Sequence, residues 1–371
     1  MIRNATAIKS SAAAAEIYSR GRARKALLIL ALLTLIAVAF VYACTVGAAS
    51  ISHGDVITAI MHRVLPDLVG APDNPLANSI VVNMRIPRIL LALLTGMSLA
   101  LAGTVMQGVL RNSLVSPFTL GLSSAASFGA AVSIVLGPGT LGFLAFALGG
   151  NENYYIAAGS FMFGCLSMVL VYLISRVKNA GQVTLILSGV VIGYIFQAGV
   201  YMLKYVSDND RLRDLVMWLM GGMWGAKWDV VILLIPIVLI SFVLLAIRSW
   251  DLNALSAGDD IAKNLGVNVD GLRIYCLAIA TLVASSCLAF TGVIGFIGLM
   301  APHICRMIIG NDYRFLIPCA CLTGGLILLV SDTFARTILI PQEIPVGIIM
   351  YVIGGAFFIF LLVKGRESHI Y

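Results

Sequence analysis

The sequence predicts an all-α integral membrane protein of about ten transmembrane helices, one of them short, with both termini on the cytoplasmic side. Composition is the first reason. Of 371 residues, 60% are hydrophobic and only 11% charged, whereas soluble domains carry about 25% charged residues. A surface this poor in charge needs lipid as its solvent, and the mean hydropathy of +1.01 agrees. Length is the second reason: 60% of 371 is about 223 apolar residues, enough for roughly ten spans of about 20 with short connections. No large soluble domain fits beside them. The third reason is the distribution of charge. Lys+Arg 24 against Asp+Glu 17 gives +7, but the basic residues flank apolar runs, which points to membrane orientation and to no nucleic-acid partner.

Residues 1–25 form a basic N-terminal segment, with Arg3, Lys9, Arg20, Arg22, Arg24 and Lys25 against Glu16 alone. The run from Ala26 to Gly54 that follows has no charge, so the first span begins at 26 with its positive flank inside. A cleaved signal peptide is the rival reading, but the run exceeds a typical apolar core of about 7–15 residues. Apolar stretches and their Gly, Pro and charge punctuation then place spans near 26–47, 88–110, 117–136, 154–175, 182–203, 229–247, 273–294, 315–338 and 345–363. Between Ile274 and Cys305 lie 32 uncharged residues, too many for one span, broken at Gly292, Gly295, Gly298 and Pro302. A short tenth helix is expected there, near 299–309. At 1.5 Å per residue it cannot cross about 30 Å, so it must be buried among other helices or line a cavity.

Pro87, Pro117, Pro302 and Pro345 fall where helices should start, since a first-turn proline loses no hydrogen bond. Pro236 lies inside a span and is expected to kink it. Gly96/Ala100, Gly189/Gly193 and the Gly292/Gly295/Gly298 run have the spacing of close helix contacts. With ten passes, 16 of the 24 basic residues fall inside and eight outside, among them Arg85, Arg88 and Arg336. That bias supports N-in and C-in, with 364–371 as a cytoplasmic tail.

Chemistry-bearing residues are scarce. The seven cysteines lie in or beside apolar segments without a CxxC pair and read as packing residues, and the four histidines are scattered, so no metal site is expected. Asp332 and Arg336 stand within an apolar stretch, four apart on one helix face, and read as an intramembrane ion pair. An ion-coupled carrier usually needs more carboxylates than this within its spans. There is no GxxxxGK[ST] phosphate loop, so any ATP must be hydrolysed on a partner and the chain itself is not an enzyme. A docking surface for that partner is offered by the inside loop 250–272, WDLNALSAGDDIAKNLGVNVDGL. Leu255, Ala262 and Leu265 follow a helical period among Asp259, Asp260 and Lys263, which predicts a short amphipathic helix. On the outside, 49–84 is the longest polar segment and ends in Arg85-Ile-Pro-Arg88. Those arginines either snorkel to lipid phosphates or meet an acidic soluble partner.

These residues resemble the FecCD family of ABC importer permeases, the iron-siderophore, haem and cobalamin class. The resemblance rests on Arg85-Ile-Pro-Arg88 followed by Gly96, Leu99-Ala100, Gly103, Gln107, Arg111-Asn112, Pro117 and Leu120-Gly121. It continues through Trp218 and Gly221-Gly222, then Leu255-Ser-Ala-Gly258-Asp259, Ala262 and Leu265-Gly266-Val267. It closes with Gly292-Val-Ile-Gly-Phe-Ile-Gly-Leu299, Pro302-His303, Arg306, Asp332, Ala335-Arg336 and Ile344-Pro345-Val346-Gly347. The matches run in order from about 85 to 363.

The resemblance implies a ten-helix permease domain over 26–363 in a bacterial or archaeal cytoplasmic (inner) membrane. A second permease subunit, identical or not, would complete a dimer around a central pathway. Two cytoplasmic ABC ATPase subunits would carry ATP and Mg, leaving no cofactor in this chain, and a periplasmic or lipid-anchored binding protein would deliver substrate. It maps the ATPase-coupling segment onto Leu255, Gly258, Asp259, Ala262, Leu265 and Gly266. Binding-protein docking maps onto Arg85, Arg88 and Arg336, and a cytoplasmic gate onto Gln182, Val183 and Thr184. Three departures touch the pathway: Asn112-Ser113-Leu114-Val115 replaces the family's Asn-Pro-Leu-Ala, Ser124-Ala125-Ala126 a frequent Ser-Gly-Ala, and Gly355-Ala356-Phe357 a late Gly-Pro/Ala-Pro-Phe. The implied function is import of an iron-siderophore-type chelate, haem or cobalamin by ATP-driven alternating access. The alternative is a proton-coupled secondary transporter using Asp332; a membrane enzyme ranks third, because no nucleophile, base and metal ligands cluster.

Overall fold

The computed structural model describes residues 2–47, 49, 51–65, 67–68, 70, 75–137, 151–177 and 182–365. The rest of the 364–371 tail beyond 365, together with Lys178, lies outside the described residues. Among the described residues all regular structure is helical. Among these described residues eight helices are long and apolar enough to cross a membrane, and two shorter apolar ones accompany them.

Helix α1 spans Ile2–Thr45, 44 residues, or about 66 Å at 1.5 Å per residue. Only Ala23–Thr45 has the composition of a span. The boundary expected at 25/26 is therefore no break in secondary structure; alanine-rich sequence before it continues the helix. Helix α2 (His53–Val64) starts at Ser52, whose hydroxyl accepts from the Asp55 N–H. The second span, expected from 88, reaches out to Leu76. It passes from a turn at Pro75–Ser79 through a π-helical stretch, Ile80–Arg85, into α3 (Ile86–Val109). In this wide turn the Ile86 N–H donates to the Val81 carbonyl, five residues back, just where Pro87 has no N–H to continue the regular ladder.

Helix α4 (Leu122–Leu136) has 15 residues, shorter than the 117–136 expected. Pro117–Gly121 instead folds as turns that close with Leu122 N–H on the Pro117 carbonyl, 3.2 Å. That knot fits because α6 is bare opposite it: a Cβ on Gly189 would lie 2.7 Å from Leu120 Cα. Helices α5 (Glu152–Val177), α6 (Gln182–Val206), α7 (Asn209–Met220) and α8 (Trp228–Ile247) follow, the last with Pro236 inside. Then come α9 (Ser249–Ser256), α10 (Asp259–Asn264), α11 (Val269–Thr291), α12 (Ile297–Ile309), α13 (Tyr313–Ala335) and α14 (Val346–Gly365). The short tenth helix is α12, begun two residues earlier than expected and carrying Pro302 inside rather than at its start.

Helix α3 is the axis of the bundle. In its most apolar window 83% of residues are buried, against 11% for α1 at the rim. It packs most extensively on α13 and then on α11. The small residues read from the sequence make these contacts: a Cβ on Gly96 would sit 2.3 Å from the Gly324 carbonyl oxygen, and one on Gly103 1.9 Å from that of Gly298. Backbones this close leave no room for a side chain, which is how lipid-embedded helices gain dispersion contact without a hydrophobic driving force.

Candidate functional site

The bundle has two polar ends. One carries the 250–272 segment and is here the loop end. The other, the arginine end, carries Arg85, Arg88 and Arg336.

At the loop end, the single amphipathic helix expected from Leu255, Ala262 and Leu265 is two helices. Gly258, at φ +125°, turns the chain between α9 and α10, a conformation that side chains disfavour. Leu252, Leu255 and Ala262 are fully buried, whereas Leu265 is 68% exposed, so the three residues do not share one face. Helix α10 ends in a Schellman motif: Gly266 N–H donates to Lys263 O (2.9 Å) and Val267 N–H to Ala262 O (3.0 Å). Helix α9 is tied to the start of α13 by a reciprocal pair absent from the sequence reading. Asn253 Nδ2 donates to Asp312 Oδ1 (3.0 Å), and the Tyr313 N–H donates to Asn253 Oδ1 (2.9 Å). Asp312 also caps α13 and pairs with Arg314 at 2.6 Å. The Arg314 hydrogen bond first, with that of Asn253, holds the Asp312 carboxyl down to about 2. Arg314 in turn covers the Trp250 ring at 4.2 Å. A composition cue existed for this joint, since Asn-Asp before an apolar run is an N-cap signal, but nothing in the sequence paired Asp312 with Asn253.

Asp259 links the 250–272 segment, through two arginines, to Gln182 of the expected gate. Its Oδ2 accepts from Arg273 Nη2 at 2.7 Å, and its Oδ1 lies 3.2 Å from Arg111 Nη2. With its amide oxygen turned to those guanidinium groups, Gln182 accepts from Arg273 Nη2 (2.7 Å) and from Arg111 Nε (3.1 Å), while its NH2 donates to Leu110 O (3.2 Å). Four elements meet here: the end of α3, the start of α6, α10 and the start of α11. Of the other gate residues, Val183 is exposed and Thr184 half-buried; neither enters the cluster.

At the arginine end the expected Asp332–Arg336 pair is present but is the weaker of two. Asp332 is 3.9 Å from Arg336 Nε, but its principal partner is Arg88, which donates from Nη2 to Oδ1 (2.9 Å) and from Nε to Oδ2 (3.0 Å). This bidentate fork beats the same-helix pair because the guanidinium plane matches both carboxylate oxygens. Arg88 Nη1 also reaches Glu343 at 2.7 Å. Arg85 and Arg336 are only 5% exposed. Arg336 donates to the Ala43 carbonyl, and Arg85 to those of Cys44 and Ala49. The Ala43 and Cys44 carbonyls lie in the last turn of α1 and have no helical donors, so the two arginines satisfy them and place positive charge at the negative end of the helix dipole. All three arginines still border a cavity of about 540 Å³, with Glu343, Trp224 and Met84 among its walls.

A third constellation lies between the ends. Pro302 has no N–H for the Gly298 carbonyl four residues earlier, and Gln107 Nε2 supplies the missing donor at 3.1 Å. Gln107 Oε1 accepts in turn from Arg306 Nη1. Among the described residues, no group of three or more His, Cys, Asp or Glu side chains is arranged to hold a metal.

Comparison with known proteins agrees with this architecture. A model of the FecCD transport family matches residues 34–364. The Fe(3+)-citrate import system permease protein YfmE of Bacillus subtilis is 36% identical over 93% of this chain and 97% of its own. The hemin transport system permease protein HmuU of Yersinia pestis is 36% identical over 77% of this chain and 84% of its own. A solved inward-facing conformation of an ABC transporter assigned to the metal-chelate type superimposes with TM-score 0.76 at 31% identity, covering 91% of this chain and 98% of that one. A helical membrane bundle of this architecture, matched along nearly its whole length, belongs to the FecCD transport family.

Proposed function

We propose that this chain is the permease subunit of an ATP-driven ABC importer that moves an iron-siderophore-type metal chelate into the cytoplasm by alternating access, with haem and cobalamin as the nearest alternatives of that substrate class. One observation carries the ATPase part. The 250–272 segment anchors itself by Leu252, Leu255 and Ala262 while presenting Trp250, Ile261 and Leu265 outward, the last two 50% and 68% exposed. Apolar side chains held outward on a polar, helix-capped segment mark a protein contact. ATP and Mg are placed on two ATPase subunits bound there, at the cytoplasmic face. A second permease subunit lies alongside, and a binding protein docks at the arginine end over Arg88 and Glu343. Arg85 and Arg336 then act beneath that surface, fixing the α1 terminus. The Arg88 fork occupies both Asp332 carboxylate oxygens, which disfavours the proton-carrier alternative.

The test is uptake into proteoliposomes by the complex assembled with its ATPase and binding protein, using ferric citrate, hemin and cobalamin as probes. ATP-dependent uptake of one probe, lost in Leu265→Asp, is the expected result. Uptake without ATP that collapses with an uncoupler and with Asp332→Asn would overturn the proposal.

A further inference from the structure

The permease reading leaves open how movement of the 250–272 segment reaches the start of α6. We propose that Asp259 is a positioning residue that latches the coupling segment to Gln182 through two guanidinium groups, so that displacing α10 frees the N-terminal end of α6. This role rests on the importer reading; the latch itself stands on the side-chain geometry.

Two positive charges, Arg111 and Arg273, converge on one amide oxygen, that of Gln182, at 3.1–3.2 Å and 2.7 Å. Like charges so close require a counterion, and Asp259 is the carboxylate that touches both, at 3.2 and 2.7 Å. Asp259 and Gln182 communicate through these two arginines. The latch is also incompletely satisfied. Asp259 Oδ1 and Arg273 Nε are buried atoms without a hydrogen bond, so the seated state is held by charge pairing rather than by a saturated network. The remaining salt bridge of Arg273, to Asp270 at 3.8 Å, is looser. When α10 moves, Asp259 leaves with it. Arg111, in the turn that follows α3, and Arg273 on α11 then face each other uncompensated across Gln182. Their repulsion parts the ends of the helices that carry them, and the Gln182 tie to Leu110 is lost. A bistable element of this kind lets a small displacement at a partner surface become a discrete change elsewhere.

The chain in nanodiscs tests this with spin labels at Leu187→Cys on α6 and Asn264→Cys on α10, both exposed sites; the native cysteines are buried except the half-buried Cys165. The wild-type background should give one narrow interlabel distance. Asp259→Asn and Gln182→Leu should each at least double its width, the double variant should be no broader than either, and Asp259→Glu should restore the narrow distribution. Widths that add in the double variant, or an unchanged distribution in Asp259→Asn, overturn the latch. This arm needs neither ATPase nor substrate. In the assembled complex, trapping with ATP and vanadate should shift the distance in wild type, with Asp259→Asn already near the shifted value; equal shifts in both overturn the latch. Absence of any ATP response in wild type would count against the importer reading, while the nanodisc arm still decides the latch.

Discussion

Replacing Gln107 by leucine removes a side chain that is 2% exposed and leaves two partners stranded. The Gly298 carbonyl loses its donor, 3.1 Å away, and cannot turn to a helical N–H because Pro302 has none. A buried polar group left unpaired costs about 1–3 kcal/mol. Arg306 loses its amide acceptor, but it is half-buried and can rehydrate, so about 1 kcal/mol more is expected. The sum is about 3 kcal/mol. The diagnostic step is Pro302→Ala, which returns an N–H to the helix opposite the stranded carbonyl. Alanine gains helix propensity in either background, so that gain cancels in a double-mutant cycle. What remains is a coupling of about 1–2 kcal/mol: Pro302→Ala should help the Gln107→Leu protein more than the wild type. SDS titration of the purified chain in mixed micelles, followed by fluorescence of the four tryptophans, measures all four corners. Equal gains in both backgrounds would refute the claim that Gln107 stands in for the proline's missing donor.

Gly103→Ala should cost about 3 kcal/mol in the same titration, because its Cβ would meet the Gly298 carbonyl oxygen at 1.9 Å, backbone that cannot yield without separating α3 from α12. Gly355→Ala, with nothing within 4 Å of the added Cβ, should be neutral or stabilising by up to about 1 kcal/mol; similar losses at both sites would remove the packing argument. For Asp312, the folded carboxyl titrates below its ordinary value, at about 2, so the folded state binds its proton less readily than the unfolded chain. Its stabilisation is present above about pH 4 and is lost as pH falls through about 2, and with solvent screening it amounts to about 1 kcal/mol. Asp312→Asn should therefore lower the unfolding midpoint by a constant amount between pH 5 and 8, the difference shrinking toward pH 2. A gap that persists at pH 2 would contradict the assignment.

Much of the bundle was legible from the amino-acid sequence, and for a local reason. Partition into lipid depends on the composition of each stretch of about 20 residues, so runs without charge disclose spans one at a time. The break between α11 and α12 was readable at Gly292 and Gly295, though not at Pro302, which lies inside α12, and the glycines where helices touch were readable as well. Boundaries failed where backbone geometry intervened. The second span reaches Leu76 by way of a π-helical turn, and α4 gives up Pro117–Gly121 to a knot whose room is made by Gly189 on another helix.

The candidate sites were legible as residues but not as partnerships. Asp332 stood out in the sequence because a charge in an apolar run is costly. Yet its fork partner is Arg88, 244 positions away, rather than the neighbour four residues on. Arg85 and Arg336 stood out as outer arginines, but their donors are spent on the carbonyls that end α1. Leu255, Ala262 and Leu265 had a helical period, which Gly258 interrupts by turning the chain. The contact of Asp259 with Arg111 and Arg273, and through them with Gln182, draws on four segments that no periodicity relates. Composition and periodicity thus determined what lies in the membrane and where polar chemistry is concentrated, because hydration is a property of each segment alone. Which charge answers which, and which helix end is capped by a distant side chain, was decided only by the packing that brings separate segments together.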